Sequence, residues 1–145
     1  MSSVTPWCRL GGSETLPAEQ VKTICIIGAG SSGLVAANHL REAGYEVTMF
    51  EKAAGMGGAF VSKAYDNSRL VSSSYLTAFS DLRMKTDKPH LSLDEYTAYL
   101  HQYAEKFRIA PLIRFSTNVI QVSRRGAGYA VRVEPAPTEF GCAAL

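Results

Sequence analysis

The alternation of apolar and polar positions divides the chain into short strands and helices. Residues 21–28 form an apolar, β-branched run, as expected of a strand buried on both faces. From Ser32 apolar residues recur at helical spacing until Gly44 supplies a stop signal, and a second strand follows over 46–51. Strand, turn, helix and strand within about 30 residues make one βαβ unit, which predicts parallel strands and a right-handed crossover.

The second half of the chain predicts a long loop, one helix and a hairpin. Residues 52–90 have no sustained period, and their aromatic side chains favour packing over disorder; these are Phe60, Tyr65, Tyr75 and Phe79. A helix is predicted over 91–107, where Ser92 and Glu95 have the spacing of a capping box. Residues 113–125 alternate, and with the turn at 126–128 and the run at 129–134 they predict a strand and a hairpin.

The predicted helix carries a stripe of large apolar residues at spacings of three and four, namely Leu93, Tyr96, Leu100, Tyr103 and Phe107. We assign this stripe to core packing, with contact to a flavin or a partner as the alternative. The whole pattern predicts a flexible leader over 1–20, a partial domain over 21–134 and an unassigned tail over 135–145.

Composition and charge exclude several classes of protein. The 145 residues are 46% hydrophobic and 19% charged, with a formal net charge of +2, as in an ordinary globular domain. The basic residues are scattered, which argues against nucleic acid, and no apolar run approaches the roughly 18 residues of a membrane span. Without a secretory signal, and with three cysteines lacking metal or redox spacing, the chain is expected in the cytoplasm, with no metal site.

Three glycines separate the first strand from the helix, in the stretch IIGAGSSGL. In the pattern G-x-G-x-x-G, Gly28 permits a tight turn, Gly30 permits close approach of a pyrophosphate, and Gly33 permits close helix–strand packing. The helix directs N–H groups and its positive end at the phosphates, and Ser31 and Ser32 add hydroxyl donors. The pattern predicts a dinucleotide site, and a purely structural turn with a solvent-facing acid is the alternative.

That acid is Glu51, which lies 18 residues after Gly33 at the end of the second strand. Its carboxylate can accept hydrogen bonds from both ribose hydroxyls and would repel a 2′-phosphate, which indicates FAD or NAD rather than NADP. Gly57 and Gly58 follow after five residues and favour FAD, as in flavoproteins with two dinucleotide-binding domains. The predicted cofactor-binding residues are Gly28, Ala29, Gly30, Ser31, Ser32, Gly33, Glu51, Lys52, Gly57, Gly58, Ala59 and Phe60.

The stretch from IGAGSSGL to GMGGAF, residues 27–60, resembles the N-terminal FAD-binding signature of the flavin-containing monooxygenases. The later segments agree in order: YLTAFSDLRM places Phe79 two positions before Asp81, and residues 92–109 and 113–124 resemble the helix and strand that follow in that family. The resemblance covers residues 21–134.

Single residues separate this family from its neighbours. Residues 59–62 hold no redox cysteine pair of the disulfide reductases, and Ala59 stands where amine oxidases and desaturases usually carry arginine. Phe60 takes the aromatic position of the monooxygenase pattern. Around Val71, where the family often has an asparagine beside the flavin, this chain has valine and serines.

The resemblance implies an α/β, Rossmann-like FAD-binding domain with a parallel sheet, a long flavin-side loop and a β-hairpin, incomplete at its C-terminal end. It implies that NADPH reduces FAD and that a flavin hydroperoxide transfers one oxygen atom from O2 to a soft nitrogen or sulfur, or to a ketone. NADPH would bind in a second glycine-rich unit, and this chain contains one such unit. The alternatives are an amine oxidase-like oxidoreductase that needs no NADPH, and a non-catalytic dinucleotide-binding module.

No catalytic residue is predicted. His39, His90 and His101 are assigned to ordinary surface. The expected partners are a small-molecule substrate and O2. If the last parallel strand is absent, the strand beginning at Val21 lacks a neighbour on one side, which predicts self-association through the sheet edge.

Overall fold

The computed structural model describes residues 23–62 and 68–136, together with the backbone of residues 4–8. The strands are β1 (Val4–Cys8), β2 (Thr23–Ile27), β3 (Glu46–Phe50), β4 (Ile113–Arg114), β5 (Thr117–Arg125) and β6 (Gly128–Pro135). The helices are α1 (Ser31–Glu42), α2 (Ala59–Ser62), α3 (Ser74–Thr77) and α4 (Leu93–Lys106), and a single 3-10 turn covers Ala110–Leu112.

The first sheet is parallel and has the strand order β2-β3-β4. β2 pairs with β3 along its whole length, with Thr23 opposite Glu46 and Ile27 opposite Phe50. The predicted strand–helix–strand unit with parallel strands is confirmed, and its element bounds differ from the prediction by one or two residues.

The prediction that the first strand is buried on both faces is wrong. Most residues of β2 are half-buried, and Ile27 is 58% exposed. The strand order places β2 at one end of the parallel sheet, and an end strand is covered less completely than an interior one.

The main core lies between the parallel sheet and the helices α1 and α4. Its fully buried members include Leu34 of α1, Met49 of β3, and Leu100 and Tyr103 of α4. The stripe predicted along α4 is therefore core: Tyr96, Leu100 and Tyr103 are buried, and Leu93 and Phe107 pack against them while partly exposed.

The predicted capping box begins α4. The Ser92 hydroxyl accepts from the Glu95 amide at 3.2 Å, and Glu95 Oε2 accepts from the Ser92 amide at 3.0 Å. Hydrogen bonds from Lys88 and from the Ser92 backbone lower the pKa of Glu95 below its ordinary value. Two of the otherwise unpaired amide groups of this helix terminus are thereby satisfied.

The second sheet is antiparallel, with the order β1-β6-β5, and β5 and β6 form the predicted hairpin. Residues 113–125, which alternate as one stretch in the sequence, divide between the two sheets. Ile113 and Arg114 pair with β3 in the parallel sheet, and the hairpin begins only at Thr117. Between them Ser116 has a φ of +50°, a turn that alternation of apolar and polar residues does not reveal.

A strand also lies within the segment predicted to be a flexible leader. β1 pairs antiparallel with β6, with Val4 opposite Arg132 and Cys8 opposite Tyr129. Sequence pattern missed it because five residues containing Pro6 show little strand signal, and a partner more than a hundred residues away decides the pairing. The division at residues 20 and 134 stays a prediction, and residues 137–145 of the predicted tail lie outside the described residues.

The long segment after β3 contains two short helices, and its aromatic residues have different fates. Phe60 and Phe79 pack against the main core, as predicted. Tyr75 is 73% exposed, so the packing prediction is wrong there, and Tyr65 lies outside the described residues. The exposed positions of His39, His90 and His101 agree with their assignment to the surface.

Within residues 23–62 and 68–136, no helix combines the length and apolar character that crossing a bilayer requires. The same residues contain no group of three or more His, Cys, Asp or Glu side chains placed to hold a metal ion.

Candidate cofactor site

The glycine turn joins the end of β2 to the start of α1. Gly28 has a φ of +99°, which favours glycine, and its amide donates to the Phe50 carbonyl at 2.8 Å. A Cβ placed on Gly33 would lie 2.2 Å from the Gly28 carbonyl oxygen. The helix therefore packs against the turn at a distance that only glycine allows, as the sequence predicted for Gly33.

The N-terminus of α1 lies directly after the glycine turn. Gly30 is its N-cap residue in extended conformation, and no side chain caps the helix. The first turn holds no acidic residue, while His39 and Arg41 lie in the last turn. The amides at the start of any helix lack partners within it and form its positive end, so this terminus is suited to an anion.

The second glycine pair lies against the first glycine turn. Gly57 and Gly58 have φ values of +124° and +59°, and the Gly57 amide donates to the Ala29 carbonyl at 3.1 Å. A Cβ on Gly58 would lie 3.3 Å from Gly30 Cα. The two segments cross where both lack side chains, and this brings together glycines nearly thirty residues apart.

Glu51 lies beneath this crossing and is 5% exposed. Its Oε2 accepts from the Ala29 amide at 2.7 Å, and its Oε1 accepts from the Ala53 amide at 2.8 Å. The alternative of a solvent-facing acid is therefore wrong. Each carboxylate oxygen can accept a second hydrogen bond, so these contacts leave capacity for hydroxyl donors.

Helix α4 packs against the site through Tyr96. The rings of Phe60 and Tyr96 meet edge to face with centroids 4.7 Å apart. Burial raises the pKa of Tyr96, and a hydrogen bond with Ser31 at the start of α1 opposes that rise. Tyr96 thus contacts Ser31, which follows Gly30, and Phe60, which lies two residues after Gly58.

The predicted site residues divide into two groups. Those brought together around the crossing are Gly28, Ala29, Gly30, Ser31, Gly33, Glu51, Gly57, Gly58 and Phe60. Ser32, Lys52 and Ala59 adjoin these residues in sequence and are exposed. Binding of a cofactor by either group stays a prediction.

Sequence reasoning missed two kinds of residue at the site. Ala53 donates a backbone amide to Glu51, and a backbone contact carries no side-chain signal. Asn38 is 4% exposed and donates to Asp81 Oδ2 at 3.2 Å. Its partner lies 43 residues away, so no local pattern indicates the contact.

Comparison with known proteins extends these observations. Residues 26–82 match the family described as the NAD(P)-binding Rossmann-like domain. Monooxygenase cfoE of Aspergillus candidus is 40% identical over 116 residues, which cover 74% of this chain and 20% of that protein. The 4-hydroxybenzoate brominase (decarboxylating) of Pseudoalteromonas luteoviolacea is 41% identical over 120 residues, covering 81% of this chain and 23% of that protein.

A solved structure gives the same result at the level of the fold. An oxidized steroid monooxygenase bound to NADP matches with a TM-score of 0.74 and 27% identity, over 80% of this chain and 23% of that chain. The chain therefore spans between 20% and 23% of the length of these three relatives. In sequence and in fold, this chain matches the N-terminal portion of flavin monooxygenases.

Proposed function

We propose that this chain forms the FAD-binding part of an NADPH-dependent flavin monooxygenase. One observation carries the proposal: two glycine segments, residues 28–33 and 57–58, cross at the N-terminus of α1 beside the buried carboxylate of Glu51. A dinucleotide needs close backbone approach, unpaired amide donors and an acceptor for ribose, and this crossing offers all three.

The residues present fit a dinucleotide. A Cβ on Gly30 would meet nothing nearer than Gly58 Cα at 3.9 Å, and Gly30 has an extended backbone that any residue adopts. The fold itself therefore does not require glycine at position 30, whereas a pyrophosphate held against the backbone does. By the same reasoning the amides that begin α1 receive the phosphate oxygens, and Glu51 receives the ribose hydroxyls.

The remaining chemistry divides between cofactor and protein. Bound FAD supplies electron transfer and oxygen transfer, with NADPH as reductant and O2 as oxidant. The chain's own residues bind and orient the cofactor. In this proposal Ser31 and Ser32 lie beside the phosphates, and Gly57 and Gly58 allow the cofactor to approach the backbone closely. Phe60 packs against Tyr96 and so holds the second glycine pair in place. NADPH binds elsewhere in this proposal, since the chain contains one glycine-rich βαβ unit.

The oxygen acceptor in this proposal is a soft nitrogen or sulfur nucleophile, or a ketone. The names of relatives do not narrow this further, because they include a steroid monooxygenase and a brominase of 4-hydroxybenzoate. The relatives named above favour monooxygenase chemistry over an amine oxidase-like reaction. Location in the cytoplasm stays a prediction.

The test measures flavin retention by the 145-residue chain. Wild type, Gly30→Ala and Gly55→Ala are incubated with FAD, and unbound FAD is removed. The visible spectrum then measures retained flavin, titration measures the affinity for FAD, and thermal melting measures stability. Gly55→Ala is the matched control, because Gly55 is exposed, a Cβ there meets no atom within 4 Å, and Gly55 is not among the predicted cofactor-binding residues. Loss of one or two phosphate hydrogen bonds of about 1.5–3 kcal/mol each predicts at least tenfold weaker binding for Gly30→Ala.

The expected result is a flavin spectrum in wild type and Gly55→Ala, and a much weaker one in Gly30→Ala at an unchanged melting temperature. Equal flavin binding by Gly30→Ala would overturn the assigned site, and a folded but colourless wild type would overturn FAD binding by this chain. Consumption of NADPH by a longer protein containing this chain separates the monooxygenase from a non-catalytic dinucleotide-binding module.

A further inference from the structure

Asp81 connects helix α1 to helix α4 through partly buried hydrogen bonds. Its Oδ2 accepts from the Tyr103 hydroxyl at 2.7 Å and from Asn38 Nδ2 at 3.2 Å. Tyr103 is fully buried and Asn38 is 4% exposed. A carboxylate that accepts from two directional donors fixes the distance and rotation between the helices that carry them, which apolar contacts do less strictly.

The turn that carries Asp81 is itself fixed to α4. The Tyr99 hydroxyl accepts from the Phe79 amide at 2.8 Å and donates to the Leu82 carbonyl at 2.7 Å. Lys106 Nζ donates to the Asp81 carbonyl at 2.9 Å. The carboxylate is therefore part of a turn held at three successive levels of one helix, and it cannot swing away from Asn38 freely.

The same two helices meet again at the cofactor site. Ser31 and Asn38 are seven residues apart on α1, and Tyr96 and Tyr103 are seven residues apart on α4. Seven residues are two helical turns, about 10 Å along one face. Ser31 contacts Tyr96 at the first level, beside the glycine crossing, and Asp81 joins Asn38 to Tyr103 at the second.

The two oxygens of the Asp81 carboxylate differ in their hydrogen bonding. Oδ1 is buried and accepts no hydrogen bond from any of the described residues, which destabilises the fold. Oδ2 accepts from two buried side chains, and loss of the carboxylate would remove the acceptor of the Tyr103 hydroxyl and one acceptor of the Asn38 amide. The directional contacts of Oδ2 are therefore the contribution of this carboxylate.

We propose that Asp81 is a positioning residue for the cofactor site. By holding Asn38 against Tyr103, it sets the angle of α1 relative to α4 and therefore the direction of the amides at residues 31–33 relative to Gly57 and Gly58. This inference rests on the proposed function, because its consequence is a change in FAD affinity. Its structural part, the fixing of the start of α1, does not depend on FAD.

The test compares three substitutions at Asp81 and Tyr103 with one control substitution in the second core cluster. Asp81→Leu removes the bridge and keeps a branched side chain, Asp81→Asn keeps a carbonyl oxygen for both donors, and Tyr103→Phe removes one hydroxyl while keeping the ring. Val131→Ala is the control for general destabilisation, because Val131 is buried with Phe50 and Val133 in the second core cluster, apart from the cluster that contains α1 and α4. FAD affinity and hydrogen exchange of residues 28–36 without FAD are measured where thermal melting shows every variant folded.

We expect Asp81→Leu to bind FAD at least tenfold more weakly and to exchange faster over residues 28–36. Tyr103→Phe should lose about threefold in affinity, and Asp81→Asn should recover most of the wild-type value. If Asp81→Leu does not fold, Tyr103→Phe and Asp81→Asn carry the comparison.

Two results would overturn the inference. One is a hydrogen-exchange rate over residues 28–36 that stays unchanged in every Asp81 and Tyr103 variant. This result overturns the inference even if wild type binds no FAD. The other is an equal loss of FAD affinity in Val131→Ala at equal loss of melting temperature, because the effect would then be general destabilisation.

Discussion

Replacing Gly33 by alanine tests the packing on which the glycine turn depends. The added Cβ would lie 2.2 Å from the Gly28 carbonyl oxygen, where real Cβ atoms keep at least 3.0 Å, so α1 must retreat by about 0.8 Å. The atom it meets is backbone and cannot rotate away, and the Gly28 amide is tied to the Phe50 carbonyl. The Met49 methyl at 3.4 Å limits movement in a second direction.

Two opposing effects set the size of the change. Alanine is favoured over glycine within a helix by about 1 kcal/mol, whereas forcing atoms into a packed contact costs about 1–3 kcal/mol, with a rigid backbone contact at the upper end. The clash dominates, and we expect the free energy of unfolding to fall by about 2 kcal/mol. For a chain of this size, that corresponds to a melting temperature lower by about 4–8 °C.

The assay is urea denaturation followed by circular dichroism, with Gly55→Ala as the control that adds the same methyl group in open space. Gly55→Ala should stay within about 0.5 kcal/mol of wild type. A Gly33→Ala variant as stable as this control would refute the reasoning, because α1 would then not lie against the turn as described.

Three further outcomes follow from the same structure. Glu51→Ala should lower the free energy of unfolding by about 2–4 kcal/mol without any flavin, because two backbone amides, of Ala29 and Ala53, lose their charged acceptor; urea denaturation of the flavin-free protein measures this, and an unchanged value would contradict it. Burial raises the pKa of Tyr96, Tyr99 and Tyr103. Stability should therefore be complete below pH of about 10, where the phenols of the unfolded chain are neutral, and fall as pH rises toward the folded values. Denaturation between pH 8 and 11 tests this decline, which should be shallower in Tyr103→Phe. Finally, β2 lies at the end of the parallel sheet, so self-association through this edge is still expected. A single monomeric species in sedimentation velocity across a wide concentration range would refute this expectation.

The Glu51 outcome also bears on how the cofactor site is tested. Because Glu51 holds the glycine turn as well as facing the expected ribose, its removal confounds folding with binding. Gly30 does not have this difficulty, since its replacement meets no close atom in the folded chain. The structure therefore separates two residues that the sequence presents as equivalent members of one motif.

The sequence by itself determined the features that local interactions control. The unit from β2 to β3 follows from apolar periodicity and glycine signals, and the start of α4 follows from the spacing of Ser92 and Glu95. The pattern G-x-G-x-x-G identified Gly33 as a packing position because its reason is steric and local. The resemblance carried by residues 21–134 indicated the family that the comparisons support.

Only the tertiary structure decided what depends on residues distant in sequence. It paired β1 with β6, divided residues 113–125 between two sheets, and left β2 at a sheet end with Ile27 exposed. It also crossed Gly30 with Gly58 and joined Asn38, Asp81 and Tyr103 through hydrogen bonds. Contacts of this kind form because the packing of whole elements is favourable, so no window of sequence around either partner contains the information.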